Sequence, residues 1–408
     1  MNSFLRTAPT RKLLAAIVGT LVVIGAGATI AIAAAGSGPV PAPKPLAHAI
    51  HDALAAPKVQ GISAQIKFTN NLIGSSEIQG SDPLLSGASG RVWLSNDGRM
   101  RLELQGDNGD ANVVVDKTSW WAYVPSMKTV YEGKLPTRTR ASRHESKQDK
   151  LPTVAQIQTQ LQRLSQHLGI SGAVPSDVGG QPAYTVTVSP KPATGLLGSV
   201  QLGWDALKGV PVRFAVYAKG DSTPVIELAA TGITYGPVSS GVFSISPPAG
   251  AKVVTVATPS STSTTGHGKH HGKRGHHAVA TGVQAVQSHL KFTLAAPSAL
   301  AGMSRQSVRL LDWGGRPAAL VTYGQGLGGI AVIEQQATAQ TARQLSLSQG
   351  SGDHAHGITL PTVSIGGVTA QELDTALGTV VRFTRGGVTY TVLGSVAPSV
   401  ADTAARGL

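Results

Sequence analysis

The side chains best suited to chemistry in this sequence are histidines. His267, His270, His271, His276 and His277 crowd a single stretch, PSSTSTTGHGKHHGKRGHH, at positions 259–277. Neutral imidazoles so spaced could ligate Zn²⁺ or Cu²⁺. The Ser, Thr, Gly and Lys around them supply nothing to fix ring orientation and cannot build a core, so the stretch reads as a solvated tether. Asp353-His354-Ala355-His356 is a Gly-flanked loop with the same shortcoming. Paired carboxylates, a zincin helix and a nucleophile elbow are all lacking. Ser, His and Asp occur, but their positions along a chain say nothing of a triad without geometry. The absence of cysteine excludes a thiol nucleophile, a thiolate metal site and a disulfide. Gly324, Gly326, Gly328 and Gly329 are no phosphate loop, because no Lys-Ser/Thr follows and the context is a hairpin. The expectation is a protein that is not an enzyme, with no catalytic residue, no cofactor and no metal. Trp120, Trp121 and Tyr123 remain, either as core and rim of a sheet or as a stacking platform.

Those aromatics sit in Ser89 to Gly133, where apolar and polar residues alternate between turn dipeptides. Val92 and Leu94 lead to Asn96-Asp97-Gly98. Met100, Leu102 and Leu104 lead to Asn108-Gly109, and Val113 to Val115, Trp120 to Val124 and Lys128 to Tyr131 follow. This is the pattern of an antiparallel meander with one apolar face to cover. Before it, Leu46, Ala49, Ile50, Ala53 and Leu54 recur at helical spacing up to Pro57, and Ile62 to Phe68 alternate as a strand. After it, Lys134 to Lys150 is basic, either a solvated loop or a flap that meets anionic headgroups. Thr153 then caps a helix with Val154, Ile157, Leu161, Leu164 and Leu168 on one stripe, ended by Gly169. Strands resume at Tyr184 to Val188, Ser199 to Trp204, Pro211 to Tyr217, Val225 to Tyr235 and Val242 to Ile245. From about Val279 a second set of strands begins, with Thr369 to Leu373 as a short turn or helix and Pro398 to Arg406 as a last helix.

The N-terminus reads as a targeting segment. Arg6, Arg11 and Lys12 precede the uncharged run 13–35, which suits either a cleaved export signal or a retained membrane anchor. Either places the rest outside the cytoplasm. The organisation is then a basic flank (1–12), that apolar segment (13–35), a Pro-rich spacer (36–45), a first domain (46–258), the His-rich linker (259–278) and a smaller α+β domain (279–408). The formal charge of +13 is spread along 408 residues without base-reading motifs, so no nucleic-acid partner is expected.

Three stretches of the first domain, in order, resemble the LolA/LolB/RseB superfamily of periplasmic lipoprotein carriers and sensors. They are Asn96-Asp97-Gly98-Arg99 with Trp121-Ala122-Tyr123-Val124-Pro125, then Gly179 to Tyr184 with Pro190, then Phe243 to Gly250. Asp116-Lys117 departs from the Asp-Gly that members carry before the W-x-Y strand. Tyr323 to Val332 is similar to a stretch of the MucB/RseB C-terminal domain, with Gln325 where that family has an acidic residue. The resemblance implies a mainly β fold with α (α+β). Its N-terminal part would be an open antiparallel β-barrel with helices in its concave face, followed by a smaller C-terminal α/β domain. It also implies binding of lipoprotein or lipid acyl chains in a hydrophobic half-barrel cavity. Ile66, Phe68, Val92, Leu94, Met100, Leu102, Trp121, Tyr123, Ile157, Leu161 and Leu164 are the candidate lining residues, drawn from strands whose inward face the sequence leaves open. The alternative is a membrane-tethered, RseB-like sensor that regulates an anti-sigma factor or another membrane protein.

Overall fold

The computed structural model describes residues 39–74, 78–79, 83–107, 109–135, 151–256, 280–312, 316–338, 357–358 and 360–408. The 13–35 run, the basic stretch 136–150, the His-rich linker and the 353–356 histidines lie outside them. Among the described residues no helix is long and apolar enough to cross a membrane. The chain divides into two compact units. The first holds Met1–Asn71, Gly80–Pro192 and Gly198–Thr258; the second holds Leu72–Gln79, Ala193–Leu197 and Pro259–Leu408.

The first unit opens with helix α1 (Leu46–Ala55) and strand β1 (Gly61–Asn70); β2 (Ile78–Gln79) belongs to the other unit, and α2 (Pro83–Ser86) is one turn. The meander follows as β3 (Ala88–Ser95), β4 (Met100–Leu104), β5 (Ala111–Val115), β6 (Ser119–Val124) and β7 (Thr129–Lys134). Helix α3 (Val154–Ser165) leads to β8 (Leu168–Ile170), β9 (Val174–Val178), β10 (Gln181–Pro190), β11 (Leu197–Asp205), β12 (Pro211–Ala218), β13 (Ile226–Tyr235) and β14 (Lys252–Thr255). Gly169 lies in β8 rather than at the helix end, which comes a turn earlier at Ser165. These strands form one 13-stranded sheet in the order β14-β7-β6-β5-β4-β3-β1-β13-β12-β11-β10-β8, with β9 also on β10.

Helix α3 starts where Thr153 closes a capping box. Its Oγ1 accepts from the Gln156 N–H at 3.3 Å, and Gln156 Oε1 accepts from the Thr153 N–H at 2.8 Å. Two N–H groups with no partner inside the helix are thereby satisfied. Thr153→Ala removes one of them, and a loss of about 1 kcal/mol is expected in chemical denaturation.

The second unit contains helix α4 (Val283–Gln287), β15 (Ala299–Leu300), β16 (Met303–Asp312), β17 (Pro317–Tyr323), β18 (Ile330–Gln336), β19 (Gly357–Ile358), β20 (Thr362–Ile365), β21 (Val368–Thr375), β22 (Gly378–Arg385), β23 (Val388–Gly394) and helix α5 (Pro398–Arg406). Residues 369–373 are strand, not turn or helix, because the Gly366-Gly367 turn with both φ values positive reverses the chain just before them. Eight strands pair in the order β15-β16-β17-β18-β23-β22-β21-β20, every pair antiparallel, and β19 pairs with β2.

The α+β composition stands, but its layout is the reverse of the expected one. The N-terminal sheet is open: its end strands β14 and β8 do not pair, and its buried apolar residues fall into separate clusters. Helices α1 and α3 cover only the β8, β10 and β11 end. The C-terminal sheet is the one that curls. Its eight strands, laid flat, would span roughly 34 Å at 4.8 Å per strand. Yet residues from each of them, from Leu300 in β15 to Ile365 in β20, join one core with Val286 of α4 and Ala401, Ala404 and Ala405 of α5. A helix roughly 10–12 Å across can meet both edges only if the sheet wraps around it. That unit is an antiparallel sheet filled by a helix, not an α/β domain. The order of elements could not show this, because curl depends on how many strands share one core.

Candidate functional site

The best-defined apolar site lies where α1 and α3 meet the first sheet. Leu46, Ala49 and Ile50 of α1 and Ile157 and Leu161 of α3 pack on Tyr184 and Val186 of β10 and Leu202 and Trp204 of β11. The pairing of Tyr184 with Trp204 and of Val186 with Leu202 sets these four on one face of the sheet. Leu161 is 1% exposed. Tyr184 and Trp204 rings lie 6.1 Å apart, and the Tyr184 hydroxyl donates to the Ala42 carbonyl at 2.6 Å. Lys44 sits 5.6 Å from the Tyr184 ring and bonds Asp52 at 2.7 Å. That ammonium holds the Asp52 carboxyl below its usual range, while the same bond raises the Lys44 pKa. The spacer just before α1 is thus pinned onto the site. Burial among these residues leaves a cavity of about 50 Å³ edged by Ile50, Ala53, Leu54, Leu202, Trp204, Gly209 and Pro211.

The sequence-derived residues fall into three groups. Ile157 and Leu161, with the half-buried Leu164, belong to the helix site. Ile66, Phe68, Val92, Leu94 and Leu102 gather in a second cluster around Ile62, Ala64, Leu104 and Ala111. Met100 lies on the same face of the sheet, opposite Leu94, but outside that cluster. Trp121 and Tyr123 are on the other face. Leu102 pairs with Val113 and Val113 with Ala122, so Trp120, Ala122 and Val124 share the face of Leu102 while Trp121 and Tyr123 alternate away. Tyr184, Val186, Leu202 and Trp204 were not among the candidates. Their alternation is plain in the sequence, but nothing in a period-two pattern tells which strand a distant helix will cover.

The first and last of the motif stretches meet. Asp97 takes both the Nε of Arg99, at 2.9 Å, and the ammonium of Lys117, at 3.3 Å. The Arg99 hydrogen bond holds the Asp97 carboxyl well below its usual range. The Arg99 guanidinium in turn lies 4.9 Å from the ring of Phe243, so the first motif stretch and the last are joined by a cation–π contact.

No family model matches the chain. No curated protein matches it either. Among solved structures, it is similar to a chain of the MucA/MucB complex of Pseudomonas aeruginosa, at 15% identity and a TM-score of 0.41, over 88% of this chain and 96% of that one. A MucB structure in complex with MucA(peri) gives 16% identity and 0.39, over 89% and 95%. A putative outer membrane lipoprotein-sorting protein domain from Vibrio parahaemolyticus gives 10% and 0.21, over 48% and 95%.

Among the described residues no group of three or more His, Asp and Glu could hold a metal ion. The site's chemistry is apolar contact, closed by one hydroxyl–carbonyl bond and one exposed ion pair.

Proposed function

We propose that this chain is a non-catalytic, extracytoplasmic regulator that works by gripping another protein, in the manner of the MucB/RseB proteins its motifs resemble. The partner is the extracytoplasmic part of a membrane protein, of which an anti-sigma factor is the leading case. The observation that carries this reading is the filled helix site. A cavity of about 50 Å³ is far below the roughly 300–1,000 Å³ of a ligand pocket, so an acyl chain has no room there. In the second unit, residues of all eight strands share one core with residues of α4 and α5.

A second reading, the acyl-chain carrier, has one observation of its own. Leu228 of β13 is 38% exposed between its cross-strand neighbours Phe68 and Phe214, an apolar row that the helices leave uncovered. Under that reading Ile66, Phe68, Val92, Leu94, Met100 and Leu102 line the bound chain, at about 0.8 kcal/mol per buried methylene. Trp121 and Tyr123 do not, being on the opposite face.

The test is to cross-link the full chain in its own host, capture it, and identify both proteins and lipids that come with it. The regulator reading expects one membrane protein in stoichiometric amount, and an altered envelope-stress reporter when this chain is deleted. Acyl lipid in stoichiometric amount without a protein partner would sink it in favour of the carrier.

A further inference from the structure

The outer face of the first sheet, away from the helices, carries a groove of about 410 Å³ that neither reading uses. It is lined by Ser63, Ala64, Gln65, Arg91, Trp93, Gly232, Ile233 and Thr234, and Lys67 stands two residues beyond Gln65 along β1, outside that lining. A β-bulge makes it: the register between β1 and β13 shifts between Gln65 and Ile66, so that Gln65 faces Gly232 and Ile66 faces Ala230. A bulge bends the strand and interrupts the ladder. At its centre stands Gly232, where a side chain would meet nothing nearer than Gln65 Oε1 at 3.8 Å.

Charge is left over at this groove. On the same face, the two acids nearest the groove are already engaged: Glu103, cross-strand from Arg91, bonds Arg101, and Glu227 bonds Arg213 at 2.6 Å. Arg213 is further tied to Gln201 at 2.7 Å and to the Tyr217 hydroxyl at 3.0 Å. Arg101 is committed a second time, stacking 5.0 Å from the Trp93 ring. Lys67 and Arg91 are exposed, and neither has an ion-pair partner among the described residues. They are diagonal neighbours of one another, since Lys67 pairs with Ser89 while Arg91, two residues on, pairs with Gln65. Diagonal neighbours across an antiparallel pair are roughly 7–8 Å apart. An extended chain repeats its same-side residues roughly every 7 Å.

We propose that this groove docks an extended peptide segment with acidic residues at alternate positions, one carboxylate on Lys67 and the next on Arg91. Gln65, Ser63 and Thr234 offer donors and acceptors to the backbone between them, and Trp93 walls the groove. The segment belongs to the protein partner, so the inference rests on the regulator reading. A lipid surface fits worse, because membrane anchoring takes clusters of roughly four to eight basic residues and two remain here.

The test uses the full chain in nonionic detergent and fluorescence anisotropy of a labelled short peptide that alternates Glu and Thr. Its control has the same composition with the Glu residues in one block. Lys67→Glu with Arg91→Glu changes only exposed side chains, so the fold persists, which circular dichroism verifies. The alternating peptide is expected to bind more tightly than the blocked one, to weaken about tenfold or more in the double variant, and to weaken with salt. A peptide alternating Lys and Thr should then bind the double variant. Equal binding of alternating and blocked peptides overturns the proposal, as does binding that survives the double variant. Uptake of inorganic phosphate or of vesicles containing phosphatidylglycerol, without the peptide, overturns it in favour of a plain oxyanion or membrane site. Should the cross-linked partner still be captured by the double variant, the regulator reading stands and the groove assignment falls.

Discussion

The stability of the second unit is expected to fall as pH rises from about 4.5 to about 8, and Glu334→Gln is expected to abolish that fall. Glu334 lies on the core face of β18 with Ile330 and Val332, and is 0% exposed. Its Oε2 accepts the Ala295 N–H at 2.8 Å, and its Oε1 has no partner among the described residues. Burial raises its pKa from 4.5 to about 8, so the native carboxyl is protonated at neutral pH. Below pH 4.5 native and unfolded chains are both protonated and no dependence exists. Between 4.5 and 8 only the unfolded chain gives up the proton, so unfolding is favoured increasingly as pH rises. Above 8 the curve flattens. At 1.36 kcal/mol per pH unit the whole fall is roughly 5 kcal/mol, an upper bound.

Two neighbours share the environment without sharing the window. Burial pushes the Tyr323 hydroxyl up to about 12 and raises Tyr390 also, with the Glu334 charge adding to both; Arg305 and Arg385 pull the other way. Both tyrosines therefore ionise above the range in which Glu334 does. Glutamine keeps an acceptor for Ala295 but brings an amide donor, which in this apolar place costs about 1–3 kcal/mol. The variant should be the less stable protein at pH 5 and the more stable at pH 9, so that the two urea-midpoint curves cross. Parallel curves would refute the assignment. Exchange at the Ala295 amide gives an independent reading, because the segment over the core is held by side chains in place of a ladder. Gln287 binds Phe292 and Leu294, and Arg305 binds Ala296.

Leu161→Ala is expected to cost the first unit about 3 kcal/mol, within the 2–5 kcal/mol span for a buried leucine. At this size that is roughly 6–12 °C in Tm. Leu161 of α3 shares one buried cluster with α1, Tyr184 and Trp204, and the neighbouring cavity shows that the site does not collapse fully around its own contents. Gln160→Ala, one residue away and exposed, is the control, with an expected change within about 0.5 kcal/mol. Calorimetry should show the loss in one transition only. A shift in both would mean that the two units unfold as one.

Local order was legible in the sequence where local chemistry decides it. The Asn96-Asp97-Gly98 and Asn108-Gly109 turns mark the breaks between β3, β4 and β5, β7 runs three residues past its expected end at Tyr131, and Thr153 announces α3 before any contact is known. What failed were questions answered far away along the chain. Trp120 and Trp121 are adjacent and alike, and only the register through Val113 to Leu102 decides which one faces the apolar side. Glu334 sits in GGIAVIEQQ as any strand-end acid would, and nothing nearby marks it as fully buried. The curl of the second sheet is of the same kind, since it follows from eight strands meeting helices that lie at opposite ends of that unit's sequence.

The inserted segments of the second unit have a consequence for dissecting the protein. Ile78–Gln79 pairs with Gly357–Ile358, and Ala376 donates to the Leu72 carbonyl at 3.2 Å. The Leu196 N–H reaches Ser395 Oγ at 3.0 Å, and the Gly328 N–H reaches Thr194 Oγ1 at 3.2 Å. The chain therefore passes from one unit to the other several times before position 259, and a single scission at 259–278 does not separate two molecules. A gene fragment starting at position 279 lacks two of its own unit's pieces and exposes the strand edge of Gly357–Ile358. The nicked whole retains them, so a nick and a truncation at the same place yield different proteins.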